Sequence, residues 1–235
     1  MARSVYEVGT LVGRYPLLAL PVARWRRHGE PLESDTDLVT EGYPRSANTF
    51  AVVAFAAAQP TPVRIAHHVH APAHVIASVR RGIPTLVLIR ESEEAVVELV
   101  LLKRWLTVAQ ALRGWIRFYA PLLPYRGRFV VAGTQEVLSD FGAVIRRVNT
   151  RFGTSFCEFA HTDQAAEAAW RGVGEYWEGG HGPGLPLVGR TSETEEERDA
   201  DRDRLRRTYR SARLAALRAR AERLHETFTD LAREL

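Results

Sequence analysis

The sequence predicts an α/β fold, with a central parallel sheet flanked by helices and a long helix at the C-terminus. Strand-like and helix-like segments alternate from residue 37 to residue 152. Two strand-like segments, 84–89 and 128–132, are almost uninterrupted apolar runs. Such runs are typical of strands buried on both faces of a parallel sheet. The alternation favours βαβ units joined by right-handed crossovers.

The predicted elements follow one another in a regular order. The apolar run 15–23 is interrupted by two prolines and followed by three arginines, and we expect it to form a helix that packs on the domain. Contact with a membrane surface is the alternative for this run. The next elements are a strand at 37–42, a helix at 49–58, a strand at 62–68, a helix at 72–81 ended by Gly82, a strand at 84–89, one or two helices over 93–119, a strand at 128–132 and a helix at 137–152.

The last third of the chain has a different composition. Seven glycines and two prolines lie between residues 172 and 189, which predicts a flexible loop or a lid over 172–192. A capping box, Ser192-Glu193-Thr194-Glu195, then predicts a helix over 193–235. This helix would either dock on the sheet or form a homodimer as a coiled coil, through an apolar stripe of Leu217, Ala221, Leu224, Phe228, Leu231 and Leu235.

Length and composition indicate a single domain over 1–235, with the sheet core within 28–160. The chain has 235 residues, and 46% of them are hydrophobic and 26% charged. The net charge of +4 comes from 32 basic and 28 acidic residues spread along the chain, so we expect no nucleic-acid partner. A single cysteine, Cys157, excludes an internal disulfide and fits a reducing, cytoplasmic compartment. No run approaches the ~20 apolar residues of a membrane span, so stable membrane insertion is not expected.

The segment 43–50, Tyr-Pro-Arg-Ser-Ala-Asn-Thr-Phe, joins the first predicted strand to the first predicted helix. A loop in this position presents backbone N–H groups at a helix N-terminus, where anions bind. Arg45, Ser46 and Thr49 add charged and neutral hydrogen-bond donors. The loop lacks the Gly-x-x-x-x-Gly-Lys-[Ser/Thr] pattern of a Walker A motif. The loop therefore predicts a binding site for a phosphate or a sulfate. This site is not a Walker A nucleotide-binding loop.

The same loop resembles the 5′-phosphosulfate loop of the PAPS-dependent sulfotransferases, Tyr-Pro-[Lys/Arg]-Ser-Gly-[Thr/Asn]-Thr-[Trp/Phe]. It matches at every position except Ala47, where the family has glycine. If this position has a positive φ, alanine is strained there. The resemblance implies a P-loop-type fold and a transferase that uses PAPS, releases PAP and needs no metal. It assigns cofactor contacts to Arg45, Ser46, Ala47, Asn48, Thr49 and Phe50.

A second stretch resembles the 3′-phosphate motif of the same family. Residues 84–91, Pro-Thr-Leu-Val-Leu-Ile-Arg-Glu, look like the family's strand and arginine, which implies that Arg90 pairs with the 3′-phosphate of PAPS. Where the family has a serine eight residues later, this chain has Glu98. A carboxylate there would repel the phosphate unless it is protonated or turned away. Arg190 is the candidate that replaces the family's C-terminal Arg-Lys-Gly motif.

Four histidines lie between the two motifs, at His67, His68, His70 and His74. The stretch His68-Val-His70-Ala-Pro72 resembles the family's Lys-Thr-His-Leu-Pro segment, which implies that His70 is the catalytic base and that His68 stands where a lysine assists. Arg45 would stabilise the leaving phosphate. A metal site and a polar strand end without function are the alternatives for these histidines.

Three functions follow from these residues. The first is a sulfotransferase acting on a hydroxyl or amine of a small-molecule or glycan acceptor. The second is a kinase-like transferase, or another phosphate enzyme, on the same scaffold. The third is a non-catalytic binding protein that has kept the fold and lost part of the site.

Overall fold

The computed structural model describes residues 2–26, 29–178 and 194–234 and contains a four-stranded parallel sheet in the order β2-β1-β3-β4. The strands are β1 (Leu38–Gly42), β2 (Ile65–His67), β3 (Thr85–Ile89) and β4 (Val130–Gly133). Each strand overlaps the segment predicted for it. The α/β fold with a central parallel sheet flanked by helices is therefore confirmed.

The helices lie on both faces of this sheet. They are α1 (Ala2–Val12), α2 (Pro16–Arg26), α3 (Asn48–Ala58), α4 (Pro72–Arg81), α5 (Ser92–Leu102), α6 (Val108–Tyr119), α7 (Thr134–Ser139), α8 (Phe141–Phe152), α9 (Asp163–Glu178), α10 (Glu195–Tyr209) and α11 (Ala215–Arg233). Alternate side chains of β3 point to opposite faces of the sheet. Leu86 and Leu88 pack with α3 and α8 on one face. Val87 and Ile89 pack with α5 and α6 on the other face.

The close approach of β1 and β3 requires a glycine at the end of β1. A Cβ on Gly42 would lie 2.7 Å from the carbonyl oxygen of Leu88 and 2.9 Å from Oδ1 of Asn48. Neither of these groups is at the flexible end of a long side chain, so a larger residue would push the strands apart. This packing fixes where the loop after β1 starts.

The C-terminal part of the chain departs from the prediction in two ways. Residues 172–178 belong to α9 and are not a loop. Gly172 lies close to α3, where a Cβ on it would be 2.8 Å from Cγ1 of Val53. Residues 179–193, including Arg190, lie outside the described part of the chain. The single helix predicted over 193–235 is interrupted between α10 and α11, where a 3-10 turn spans Ala212–Leu214.

The interruption lets the two helices pack in different places. In α10, the hydroxyl of Tyr209 lies 2.6 Å from Oγ of Ser92 at the start of α5. In α11, Phe228 is buried and stacks on Phe129 at a ring distance of 6.1 Å. The described part of the apolar stripe therefore packs on the chain's own core, as the docking interpretation expects. A homodimer through this helix stays a prediction and would use a different face.

The first helix, α1, is joined to the domain through polar contacts. The hydroxyls of Tyr6 and Tyr43 lie 2.9 Å apart, and Glu7 pairs with Arg113 at 2.8 Å and also with Arg117. Burial raises the pKa of Tyr6 to about 12, against the hydrogen bond with Tyr43. Because Tyr43 begins the predicted anion loop, α1 supports that loop from outside the sheet.

Candidate functional site

The candidate site lies at the carboxyl ends of the strands, where the chain order reverses. The chain leaves β1 through α3 to reach β2 on one side, and then crosses through α4 to β3 on the other side. In open parallel sheets, ligands bind in the crevice outside such a switch point. The loops after β1, β2 and β3 meet there. They carry the three groups of residues predicted from the sequence.

The loop after β1 is held in an unusual backbone conformation. Ala47 is the N-cap of α3 and has a φ of 62°, and Arg45 has a φ of 74°. The expected positive φ at Ala47 is therefore present, and side chains with a Cβ are strained there. No side chain caps α3, so its first N–H groups are available to an anion.

Arg45 and Ser46 place buried polar atoms in this loop. Within the described part of the chain, Nε of Arg45 and Oγ of Ser46 are buried without a hydrogen-bond partner of good geometry. Ser46 lies beside the Tyr119 hydroxyl, but that hydroxyl already donates to Leu88 O at 2.7 Å and accepts from the Tyr43 N–H at 3.3 Å. Buried polar atoms without partners are costly, and an anion at this loop would give both atoms an acceptor.

The remaining residues of the loop have structural partners. Asn48 donates through Nδ2 to Tyr43 O at 3.1 Å and so braces the loop. Phe50 is buried against Trp170 and Phe159, which leaves its backbone N–H as its means of reaching a ligand. Thr49 Oγ1 lies 3.0 Å from Nε2 of His68. Thr49 therefore links the loop after β1 to the loop after β2.

Arg90 and Glu98 both approach Arg45 from the side of β3. The Arg90 guanidinium donates to Arg45 O at 3.0 Å. Glu98 lies 3.8 Å from the Arg45 guanidinium and 3.1 Å from Nε of Arg202. Burial lowers the pKa of Arg45, Glu98 opposes this effect and the charge of Arg90 adds to it. The Glu98 carboxylate thus faces the site, and two guanidinium groups compensate its charge.

A cavity of about 570 Å³ opens beside these residues, between α5 and α10. A volume of that order is sufficient for a nucleotide-sized ligand. Its walls are almost entirely charged, with side chains of Arg90, Glu94, Val97, Glu98, Asp199, Arg202, Asp203 and Arg206. Arg202 was not predicted as a site residue, because it is one of several arginines on a highly charged helix. Arg202 reaches the cavity wall because α10 packs on α5.

Glu41 is a fully buried carboxylate that organises the loop after β2. It accepts hydrogen bonds from the N–H of Val69 at 2.7 Å, the N–H of His70 at 3.2 Å and Nδ1 of His74 at 2.8 Å. Burial alone would raise the pKa of Glu41, but the hydrogen bond and charge of His74, with His70 and Val69, hold it below its usual value. Glu41 is therefore an ionised group inside the fold.

The tautomer of His70 is defined by a backbone carbonyl. Its Nδ1 lies 2.9 Å from Gly42 O, and since a carbonyl only accepts, Nδ1 carries the proton and Nε2 is the basic nitrogen. Burial lowers the pKa of His70, although Glu41 and the Gly42 carbonyl act in the opposite direction. A neutral histidine with a basic Nε2 has the form needed to accept a proton.

His68 lies between the two loops. Its Nδ1 is 2.7 Å from Nδ1 of His67, and its ring stacks on Tyr176 of α9 at 5.4 Å. His68 and His70 both have positive φ values, of 60° and 52°. In the described ranges, these two residues with Arg45 and Ala47 are the non-glycine residues in this conformation. Backbone strain of this kind concentrates at functional sites.

Glu41 was missed by the sequence analysis, although the sequence carries a signal for it. A carboxylate stands inside the buried strand β1, one residue before Gly42. The hydrogen-bond partners of Glu41 lie 28 to 33 residues further along the chain. Glu41 therefore meets them only because the chain after β2 brings α4 back beside β1. Among the residues that the structure describes, no group of three His, Cys, Asp or Glu side chains is arranged to hold a metal ion.

No family model matches the chain, and no curated protein matches it. Among solved structures, it is similar to mouse sulfotransferase SULT7A1 complexed with PAP, with a TM-score of 0.43 and 12% identity, over 82% of this chain and 90% of that chain. No described helix is long and apolar enough to cross a membrane.

Proposed function

We propose that the protein is a sulfotransferase that moves a sulfuryl group from PAPS to a hydroxyl or amine of a small-molecule or glycan acceptor. The observation that carries the proposal is that one edge of the sheet joins an oxyanion-binding loop to a neutral histidine. Arg45 supplies a half-buried guanidinium whose Nε is buried and has no hydrogen-bond partner among the described residues, and His70 supplies a basic Nε2. Group transfer to a hydroxyl needs both functions.

We assign the two anionic groups of PAPS to two places in the site, and the cavity at the second place carries three arginines and four carboxylates. Arg45, Ser46, Thr49 and the first N–H groups of α3 would hold the 5′ end of PAPS. Arg90 and Arg202, on the wall of the adjoining cavity, would hold the 3′-phosphate. Arginine suits such contacts because its planar fork binds oxyanions through two hydrogen bonds. The expected contact of Arg190 falls outside the described residues.

The chemistry divides between the two loops. Bound PAPS would supply the sulfuryl group. His70 accepts the proton of the acceptor hydroxyl or amine at Nε2, so that the acceptor atom can form a bond to sulfur. Arg45 and the N–H groups of α3 stabilise the negative charge that develops where the bond to the phosphate breaks. The contact of Thr49 with His68 holds the two loops together.

A non-catalytic binding protein is the second candidate, and Glu98 favours it. The carboxylate of Glu98 already pairs with Arg45, the residue that an anionic ligand needs. A protein in which Glu98 replaces the ligand's charge would keep the fold and lose transfer. PAP binding without sulfuryl transfer distinguishes this function from the first.

Thermal unfolding with PAP, ADP and ATP tests the proposed function. We expect PAP to raise the unfolding temperature more than ADP or ATP, because only PAP carries a 3′-phosphate for Arg90 and Arg202. A ligand at about 100 times its Kd stabilises by about 2.7 kcal/mol, which such a measurement resolves. Equal stabilisation by ADP would show that the 3′-phosphate site is absent. PAP binding without sulfuryl transfer to a broad acceptor panel would support the non-catalytic protein.

Replacing Glu98 by serine is expected to increase the affinity for PAP by about tenfold, because it removes a like charge from a partly buried anion site. Titration with PAP by calorimetry at fixed ionic strength measures the change. Glu93→Ser is the matched control, since Glu93 lies on the same helix and pairs with Arg210 at 2.7 Å. A weaker affinity in Glu98→Ser would mean that Glu98 orients Arg45 and Arg202 for the ligand, and the repulsion account would be wrong.

A further inference from the structure

The outer surface of the two N-terminal helices is apolar, and the proposed function does not use it. Ten large hydrophobic side chains are exposed in the described ranges, and eight of them lie on α1, on α2 or between them. They are Val5, Val8, Leu11, Tyr15, Leu17, Leu18, Val22 and Trp25. Single exposed hydrophobic residues are ordinary, but such a concentration marks an interaction surface.

The helix α2 is apolar on both of its sides. Ala23 is buried and Leu20 packs against a small core with Leu32 and Val39. At 100° per residue, the outward residues span about 140° of the helix circumference; they are Leu17, Leu18, Pro21, Val22 and Trp25. Leu17 is 90% exposed and Trp25 is 81% exposed. The outward face therefore carries large apolar side chains that no described part of the chain covers.

These helices cannot hide the face by rotating. The contact of Tyr6 with Tyr43 and the ion pair of Glu7 with Arg113 fix α1. Between α1 and α2, Gly13 O accepts a hydrogen bond from the N–H of Ala73 at 2.8 Å. A Cβ on Gly114 would lie 2.1 Å from the Tyr6 hydroxyl, so α1 is seated closely on α6. The apolar face is thus held outward by the packing of the opposite face.

The charge around this face is positive. Residues 2–27 contain five arginines and one acidic residue, Glu7, which pairs with Arg113 and Arg117. The sequence of α2 contains no carboxylate. Arg24 on α2 pairs with Glu33 at 3.1 Å, whereas Arg3 and Arg14 make no ion pair with the described carboxylates and are both exposed. An apolar face with arginines at its edges complements a surface that is apolar inside and anionic outside.

We propose that the outer face of α1 and α2, the α1–α2 surface, binds peripherally to an anionic lipid bilayer. Trp25 and the leucines enter the boundary between headgroups and acyl chains, and the arginines lie among anionic headgroups. A second copy of this chain fits less well, because a twofold contact through α2 would bring arginines of both copies together, and apart from the Glu33 that pairs with Arg24 α2 offers them no carboxylate. This proposal is independent of the proposed enzymatic activity.

Vesicle flotation of the full chain tests the α1–α2 surface. We expect the protein to float with phosphatidylcholine vesicles that contain phosphatidylserine, to bind less to phosphatidylcholine alone, and to be released by salt. The double variant Leu17→Ser/Trp25→Ser is expected to bind about tenfold more weakly, from the apolar area removed. Trp170→Ser is the matched control, because Trp170 is also exposed but lies on α9, and its binding should equal that of the unchanged chain.

Folding of the double variant is checked by circular dichroism and by its unfolding temperature, which should be retained because both side chains are exposed. Absence of vesicle binding at low salt would overturn the proposal, as would equal binding by the double variant. Size measurement without lipid gives a further test. A dimer that the double variant disrupts would assign the α1–α2 surface to a second copy and also overturn the proposal.

Discussion

Replacing His70 by alanine is expected to lower the rate of sulfuryl transfer by about 10²–10⁴-fold, the usual contribution of a positioned general base. The affinity for PAP should be retained, because the proposed PAP contacts are made by Arg45, Arg90 and Arg202. The measurement is single-turnover transfer from PAPS to an acceptor, together with PAP titration. A variant with full turnover would remove the role of His70.

The pH profile gives the second readout for His70. Burial lowers the pKa of this histidine, so Nε2 stays unprotonated down to a pH below the usual histidine value of about 6.5. The rate should therefore rise with pH through that lowered pKa and be flat above it. This rise of the rate with pH, the acid limb of the profile, should disappear in His70→Ala. The control His225→Ala removes a histidine on α11 and should leave both the rate and the limb unchanged.

Replacing Glu41 by alanine is expected to destabilise the fold by about 3–5 kcal/mol, the usual cost of removing one partner from a buried charged network. The change leaves the N–H groups of Val69 and His70, and Nδ1 of His74, without their acceptor. Urea unfolding at pH 7 measures the loss. Glu33→Ala is the control, since Glu33 forms an exposed pair with Arg24 and such pairs contribute at most about 1 kcal/mol.

Glu41→Gln separates the positioning role of Glu41 from its structural role. The charge of Glu41 raises the pKa of His70, so the neutral amide should move the acid limb of the rate to lower pH. A merely structural carboxylate would change the unfolding free energy and leave the limb in place. That outcome would contradict the proposal that Glu41 positions the base.

The stability contribution of Glu41 should also depend on pH in a defined direction. Its folded pKa lies below the usual value of 4.5, so the contribution is complete above that value and is lost as the pH falls through the folded pKa. The difference in unfolding free energy between the unchanged chain and Glu41→Gln should therefore shrink below about pH 4.5.

Local sequence signals were sufficient for most of the elements and for the position of the loop between β1 and α3. Pro72 and Gly82 bracket α4 as predicted, and the continuous apolar run at 84–89 contains β3. The interruption between α10 and α11 was not predicted, because the residues at 210–214 are ordinary helix formers. Only the separate packing of Tyr209 on Ser92 and of Phe228 on Phe129 requires the break.

The sequence alone determined the order of elements, the loop with its arginine, and the histidine that follows the second strand. Each of these depends on contiguous residues whose backbone preferences and charges are local. Tertiary structure decided that Glu41 accepts hydrogen bonds from the histidine loop and that Glu98 lies between Arg45 and Arg202. These groups are separated by 28 to 104 residues along the chain. These groups interact only because the parallel strands and the packed helices bring distant parts of the chain together. No local sequence pattern predicts those contacts.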